Sequence, residues 1–444
     1  MTPRRGTEIF HGLLVGVVLA LLGDQLSGFA LGVWLFQRTG LVSSNGVLAV
    51  ATTLPFIACA PLAGVLVDRL GPGRVLWMGA AGANLCAFAL LSLERAGRLD
   101  AWTAALLVGL ATALRSGEFG AISALTTTLL PSARWPRANG LVQLAFALPQ
   151  LVSPLAAGYL LSAVGIRAIL AAYAASATAA TAVFAGLRPR GPSPAARASL
   201  LEEVATAWRY IRERGGLVAL LAFFAAVNFD LGVVQVIVTP LVLGFAGPRE
   251  LGVVLSVGGV GAIVGSVAMS VWSGPRRRVA AILAATALQG LALLLGGLRP
   301  STWLVALAAF GVMLTFPVIA VSCQVVWQKK VPVHLQGRIA SFRVVVAGAT
   351  VPLACAIAGP LGDRVFEPAM RTGGSLAGVL QRIVGAGEGR GVAVLMASLG
   401  VATVLVAVAG SFSRVLQRVE TDLPDQEPDD RDDGAPLGIE RRAS

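Results

Sequence analysis

The chain has 444 residues, of which 56% are hydrophobic and 13% charged, with a mean hydropathy of +0.78 and a formal net charge of +12. Soluble domains carry about 25% charged residues, so a string of soluble domains is excluded. The positive balance could serve nucleic acid, but it is dispersed between apolar runs, which argues for an orienting role instead.

In chain order, apolar stretches long enough to cross a bilayer recur at 12–36, 44–67, 75–93, 102–130, 139–163, 168–187, 216–243, 250–272, 279–298, 303–327, 340–362 and 391–412. They predict a polytopic, all-α membrane protein of twelve spans. The first run is too long for a cleaved signal and lacks a small-residue cleavage site, so span 1 is expected to stay. Basic residues collect in the segments on the side of the two termini, as at 276–278, Lys329 with Lys330, and between Arg188 and Arg214. The positive-inside rule then predicts an inner (plasma) membrane location with both termini cytoplasmic. Cys59, Cys86, Cys323 and Cys355 fall inside spans at unrelated spacings and read as packing residues.

The even spacing of spans breaks once. Residues 1–187 form a first six-span unit, 188–215 a linker, 216–412 a second six-span unit, and 413–444 an acidic tail expected to be disordered. Within the linker, Leu200, Leu201, Val204, Trp208 and Ile211 share one helical face, the pattern of a helix lying on the inner leaflet. The two units repeat each other: "GPGRV" enters span 3 and "GPRRRV" span 9. Pro131, Arg137 and Gly158 match Pro332, Arg338 and Gly359 at one common offset. Duplicated halves of this kind place a binding site between them at mid-membrane.

Span 1 carries the unexpected stretch "LLGDQLSG", with Asp24 and Gln25 among apolar residues. Glu118 and Arg115 lie within span 4 and Asp230 within span 7, while span 10 carries Gln324. A charge at mid-bilayer costs about 2.5–3.5 kcal/mol on insertion scales, so such groups are kept where they are paired or wetted. Spans 1, 4, 7 and 10 each begin a three-helix unit, which predicts that these groups face one shared cavity. Local explanations stand beside this one. Arg115 and Glu118 are i, i+3 neighbours able to neutralise each other, and Asp24 and Asp230 could serve helix packing through hydrogen bonds. Burial in general favours the neutral form of a carboxyl group, so an acid in such a place can load and release protons during transport. No phosphate-binding GxxxxGK[ST] loop occurs, which leaves an ion gradient as the energy source. No serine–histidine or metal-ligating cluster lies at membrane depth, so neither an enzyme nor a cofactor is expected; His11 and His334 are the two histidines. The glycines of "GAGEGRG" (385–391) follow no strand and read as a flexible outer loop.

Several motifs resemble the major facilitator superfamily over nearly the whole chain. "GVLVDRLGPGR" (64–74) is similar to its loop between spans 2 and 3: Gly64, Asp68, Arg69 and Gly71 match, and Arg74 stands one place beyond the usual basic position. The resemblance implies a gating latch on the cytoplasmic side. "RSGEFGA" (115–121) is similar to the span 4 pattern whose arginine is implicated in proton coupling, with Glu118 in place of a glutamine. "PQLVSPLAAG" (149–158) is a reduced antiporter motif that keeps Pro154 and Gly158. "LLPSARWPRANGL" and "GPLGDRVFEPAM" resemble the macrolide-efflux and enterobactin-exporter branch of drug:proton antiporters. The resemblance implies two rocking bundles, a small-molecule substrate, protons and the lipid bilayer as partners, no nucleic acid, a monomer, and export of an amphipathic compound (a drug, siderophore or secondary metabolite). An importer or lysophospholipid flippase of the same fold, or a non-transporting receptor or anchor, are the competing readings.

Overall fold

The computed structural model describes residues 3–131, 134–187, 200–272, 277–371, 374, 377–385, 387 and 389–422. The first part of the expected linker (188–199) and the tail from 423 onward lie outside the described residues. Within them the chain is all helix. The first half comprises α1 (Pro3–Thr39), α2 (Val42–Leu70), α3 (Pro72–Arg95), α4 (Ala101–Arg115), α5 (Glu118–Leu129) and α6 (Trp135–Leu187). After α7 (Leu200–Arg212) come α8 (Gly215–Leu243), α9 (Pro248–Trp272), α10 (Arg278–Leu298), α11 (Thr302–Lys330) and α12 (Val333–Leu361). A π-helical turn (Gly362–Phe366) leads into the short α13 (Glu367–Met370) and α14 (Ala377–Val384), and α15 (Arg390–Phe412) is the last crossing. Two single-turn helices, α16 (Arg414–Gln417) and α17 (Val419–Asp422), close the described chain.

Eleven of the described stretches are long and apolar enough to cross a membrane. One of them, Gly140–Gly186, has 47 residues, about 70 Å of helix against a hydrocarbon core of about 30 Å. It is two crossings. Gly165 inside it has φ 77° and ψ 176°, a region open in practice only to glycine, and the chain doubles back there. The evidence of reversal is in the packing: Ala138, Val142 and Ala145 share one cluster with Ala180 and Phe184. The expected twelve crossings are therefore present, with spans 5 and 6 joined by a one-residue corner. A second tight corner joins α2 to α3, where Gly71 (φ 86°) ends one helix and Pro72 begins the next. At the opposite face Asp100 opens α4: it accepts the Thr103 N–H at 2.7 Å and its own N–H donates to Thr103 Oγ1. That backbone donor holds the exposed Asp100 carboxyl below the usual carboxylate range.

Span 4 differs from the expected continuous run. Its helix breaks at Ser116–Gly117, between α4 and α5, so the interruption falls between Arg115 and Glu118. A Cβ at Gly117 would stand 2.9 Å from Val75 Cγ1 and 3.2 Å from Ala63 Cβ, so a side chain at this break would have to displace them.

In the described part of α7, Ala207 and Ile211 are buried among α8, α10 and α11 residues of the second half, while Trp208 tilts against Phe342 of α12 and stays 42% exposed. The side chains of Leu200, Leu201 and Val204 lie outside the described residues. Tyr210 donates to the Lys330 carbonyl at 2.9 Å, Lys330 Nζ donates to the Glu420 carbonyl at 2.7 Å, and Glu420 Oε1 accepts the Arg278 N–H at 3.0 Å. The linker helix, α10, α11 and the C-terminal turns thus meet on one face, here called the terminus face. The opposite end is the far face.

The Gly165 corner generates a prediction. Gly165→Ala forces a side chain into a left-handed conformation and is expected to destabilise by about 1–3 kcal/mol. Gly186→Ala, where a Cβ meets nothing within 4 Å, is expected to be neutral; thermal unfolding of both variants in detergent checks this.

Candidate functional site

The first half packs around a close approach of α1 to the second leg of α6. Gly16 and Gly23, seven residues apart on α1, remove the side chains that would block it. A Cβ at Gly23 would stand 2.8 Å from Tyr173 Cδ2, and one at Gly16 would stand 2.9 Å from Phe184 Cζ. On the facing helix Tyr173, Ala177, Ala180 and Phe184 recur at helical spacing, two aromatics bracketing two small residues.

Into this packed region the break after α4 delivers Arg115. Its guanidinium Nη1 pairs with Asp24 Oδ2 of α1. Nη2 and Nε donate to Glu118 Oε2 at 2.7 and 3.0 Å. Arg115 and Glu118 are nearly buried, with side chains 10% and 11% exposed, whereas Asp24 is 33% exposed. Two carboxylates share one cation, so the fully ionised cluster carries a net single negative charge. Glu118 Oε1 is buried and accepts no hydrogen bond.

Two small cavities flank the guanidinium. One is lined by Val75, Leu76, Gly79, Ala80, Leu114 and Phe184 with Arg115 and Glu118; the other includes Ala20, Ala80, Ala83 and Tyr173 with Asp24 and Arg115. Each has a cavity volume of about 10 Å³, about the room that one water needs. They lie between α1, α3, α4, α5 and α6 inside the first half.

The other expected site residues lie elsewhere. Asp230, on α8, accepts a 2.7 Å hydrogen bond from Thr403 Oγ1 of α15, within the second half. Its neighbour Asn228 donates to the Phe224 carbonyl. Gln324, on α11, accepts from Arg343 Nη1 of α12 at 3.2 Å. Gln25 is exposed and makes no side-chain hydrogen bond. The polar groups thus have separate hydrogen-bonding partners: Arg115 for Asp24 and Glu118, Thr403 for Asp230, and Arg343 for Gln324.

In the loop between α2 and α3, Arg69 and Arg74 are exposed and Gly71 makes the corner; the Asp68 side chain and the burial of Gly64 lie outside the described residues. Pro154 and Gly158 meet the other half. A Cβ at Gly158 would stand 3.3 Å from the Cα atoms of Arg249 and Gly252 on α9, and one at Gly252 would stand 2.6 Å from the Pro154 carbonyl oxygen. Ser256 of α9 adds a hydrogen bond to the Leu151 carbonyl at 3.2 Å. Small residues here allow near backbone contact between halves.

Sequence reasoning missed other cations. Arg343 lies over the Trp327 ring at 4.4 Å. Arg390, read from sequence as part of a flexible loop, is 2% exposed. It starts α15 after Gly389, donates to the Val384 carbonyl at 3.2 Å, and sits by the Phe245 ring. Both stand at span ends, where hydropathy alone assigns arginine to water. The Tyr173–Phe184 stripe was legible as a helical repeat but was indistinguishable from ordinary core. Among the described residues no three His, Cys, Asp or Glu side chains gather in a way that could hold a metal ion, and the four cysteines are free.

Twelve apolar crossings in two six-span units, with ion pairs at membrane depth, define a membrane transporter rather than an enzyme. The chain belongs to the Major Facilitator Superfamily, whose family model matches residues 13–354. It is 26% identical over 373 residues to the multidrug efflux pump Tap of Mycolicibacterium fortuitum, covering 79% of this chain and 88% of that one. It is 22% identical over 374 residues to macrolide efflux protein A of Streptococcus pyogenes, covering 80% and 90%. Among solved structures, a bacterial homolog of the human lysosomal transporter Spinster, inward-facing and unoccupied, matches with TM-score 0.68 at 14% identity, covering 94% of this chain and 98% of that one. The nucleoside transporter NupG matches with TM-score 0.69 at 14% identity, covering 90% and 100%. The protein is a multi-pass secondary transporter of small molecules that works by alternating access.

The shared guanidinium generates a prediction. Arg115→Leu leaves two acids facing each other without a cation and is expected to cost about 3–5 kcal/mol. Adding Glu118→Gln to that variant is expected to recover a large part of the loss, as read by thermal unfolding of both proteins in detergent.

Proposed function

We propose that the protein exports amphipathic organic compounds in exchange for protons, and that the Asp24–Arg115–Glu118 cluster carries the exchangeable proton. The observation that carries this reading is the charge imbalance: two carboxylates answer to one guanidinium. One proton brings the cluster to neutrality, the state a low-dielectric interior favours.

Asp24, the more exposed acid, exchanges with water. Its protonation releases one side of the guanidinium, so that Arg115 pairs with Glu118 alone and the tie between α1 and α4 loosens. Deprotonation restores the tie. Asp230 with Thr403 provides a second protonation site in the other half, and Gln324 with Arg343 a polar contact for substrate. The residues at 64–74, Asp68 and Arg69 among them, act as the latch on the terminus face. Support for export comes from the relatives, whose names describe efflux of multiple drugs and of macrolides, and from Pro154 and Gly158 at the seam between halves. The basic terminus face is cytoplasmic, the membrane is the inner (plasma) membrane, the first half ends near 187, the second runs from 216 to 412, and the working unit is a monomer.

The test is flux into inside-out vesicles containing the purified protein, with and without an imposed pH gradient, against a panel of lipophilic compounds. Gradient-driven uptake is expected for the parent and background uptake for Asp24→Asn. Uptake indifferent to both the gradient and the substitution would remove the proton-exchange assignment.

A further inference from the structure

The halves also meet at the far face through an aspartate that the transport site does not use. α2 begins at Val42, and the residue before it, Leu41, has no side chain able to cap the helix. The first turn of a helix presents N–H groups with no partner inside the helix. Here the partner comes from the other half of the protein. Asp363 Oδ1 accepts the Val42 N–H at 2.7 Å, and Oδ2 accepts the Ser43 N–H at 2.9 Å and the Ser43 hydroxyl at 2.5 Å. An ionised carboxylate on a helix N-terminus gains from the helix dipole as well as from the hydrogen bonds.

The surrounding backbone is shaped to allow this contact. Asp363 lies in the π-helical turn that ends α12, and such a turn re-aims side chains relative to the preceding helix. Glycines clear the approach. A Cβ at Gly359 would stand 3.1 Å from the Ser43 nitrogen, one at Gly362 would stand 3.2 Å from Val42 Cβ, and one at Gly46 would stand 2.8 Å from the Cys355 carbonyl oxygen. α2 and α12 therefore run in near backbone contact over their far ends. At the α6–α9 seam on the other flank, Gly158 and Gly252 lie close to facing backbone and the Ser256 hydroxyl donates to the Leu151 carbonyl.

We infer that Asp363 is the latch of the far-side gate: the far side opens only when the first turn of α2 leaves this carboxylate, so Asp363 sets the ratio of far-closed to far-open molecules. The inference rests on the alternating-access reading but not on protons or on any particular substrate. It gives the sequence "GPLGDRVFEPAM" a physical role. It also sets this face apart from the α2–α3 loop, which lies at the other end of the same helix.

The experiment measures distances between spin labels on the full-length protein in lipid nanodiscs, without substrate. Labels go on Arg98→Cys and Arg299→Cys, exposed positions on far-face loops of the two halves, with the four native cysteines replaced. In this background Asp363→Ala and the near-isosteric Asp363→Asn are expected to raise the longer-distance population. The closed-to-open ratio should fall about ten-fold, equivalent to about 1.4 kcal/mol. Ser43→Ala should move it in the same direction and less. A folded Asp363→Asn protein whose distances match the parent would reduce the residue to a plain helix cap and overturn the inference. Should Asp363→Ala fail to accumulate, Asp363→Asn alone decides. Because the readout needs no pH gradient, a negative flux assay for proton exchange would leave this result standing.

Discussion

A guanidinium at membrane depth must find its counter-charges inside the protein, because hydrocarbon offers none. Arg115 finds two, Asp24 and Glu118, and much of the first half is arranged to make that possible. The helix breaks immediately after Arg115, so that Glu118 starts a new helix with its carboxylate turned back to the guanidinium. Gly16 and Gly23 bring α6 against α1, and Gly79 lets α3 lie close to the backbone of Leu114 and Arg115. The result is a charged cluster enclosed by apolar and small side chains, with little room beyond that for a water.

The second half solves the same problem with less charge. Asp230 occupies the corresponding first helix and accepts a hydrogen bond from the Thr403 hydroxyl on the last crossing. Arg343 of that half lies on another helix and leans on Gln324 and the face of Trp327. The two halves thus place different polar chemistry on their corresponding helices.

Contacts between halves combine two kinds of surface. Val33, Val42 and Ala49 of the first half share an apolar cluster with Val236, Leu251 and Ala358 of the second. Beside it glycine, proline and serine approach facing backbone, and the Asp363 carboxylate supplies a directional contact to the first turn of α2.

The sequence by itself determined the number and order of crossings, the likeness of the two halves and which ionisable groups fall inside apolar runs. Hydropathy, repeat offsets and helical rise are local quantities that require no partner. It also determined that Arg115 and Glu118 are neighbours, since three residues on a helix is contact distance. Only the tertiary structure decided that Asp24, ninety-one residues from Arg115, completes their cluster, and that Asp230 and Gln324 do not join it. It alone placed Arg390 indoors and Asp363 on the first turn of α2. These outcomes depend on how helices rotate about their own axes and which of them touch. A slide or turn of a few ångströms leaves every hydropathy pattern intact and changes every partner.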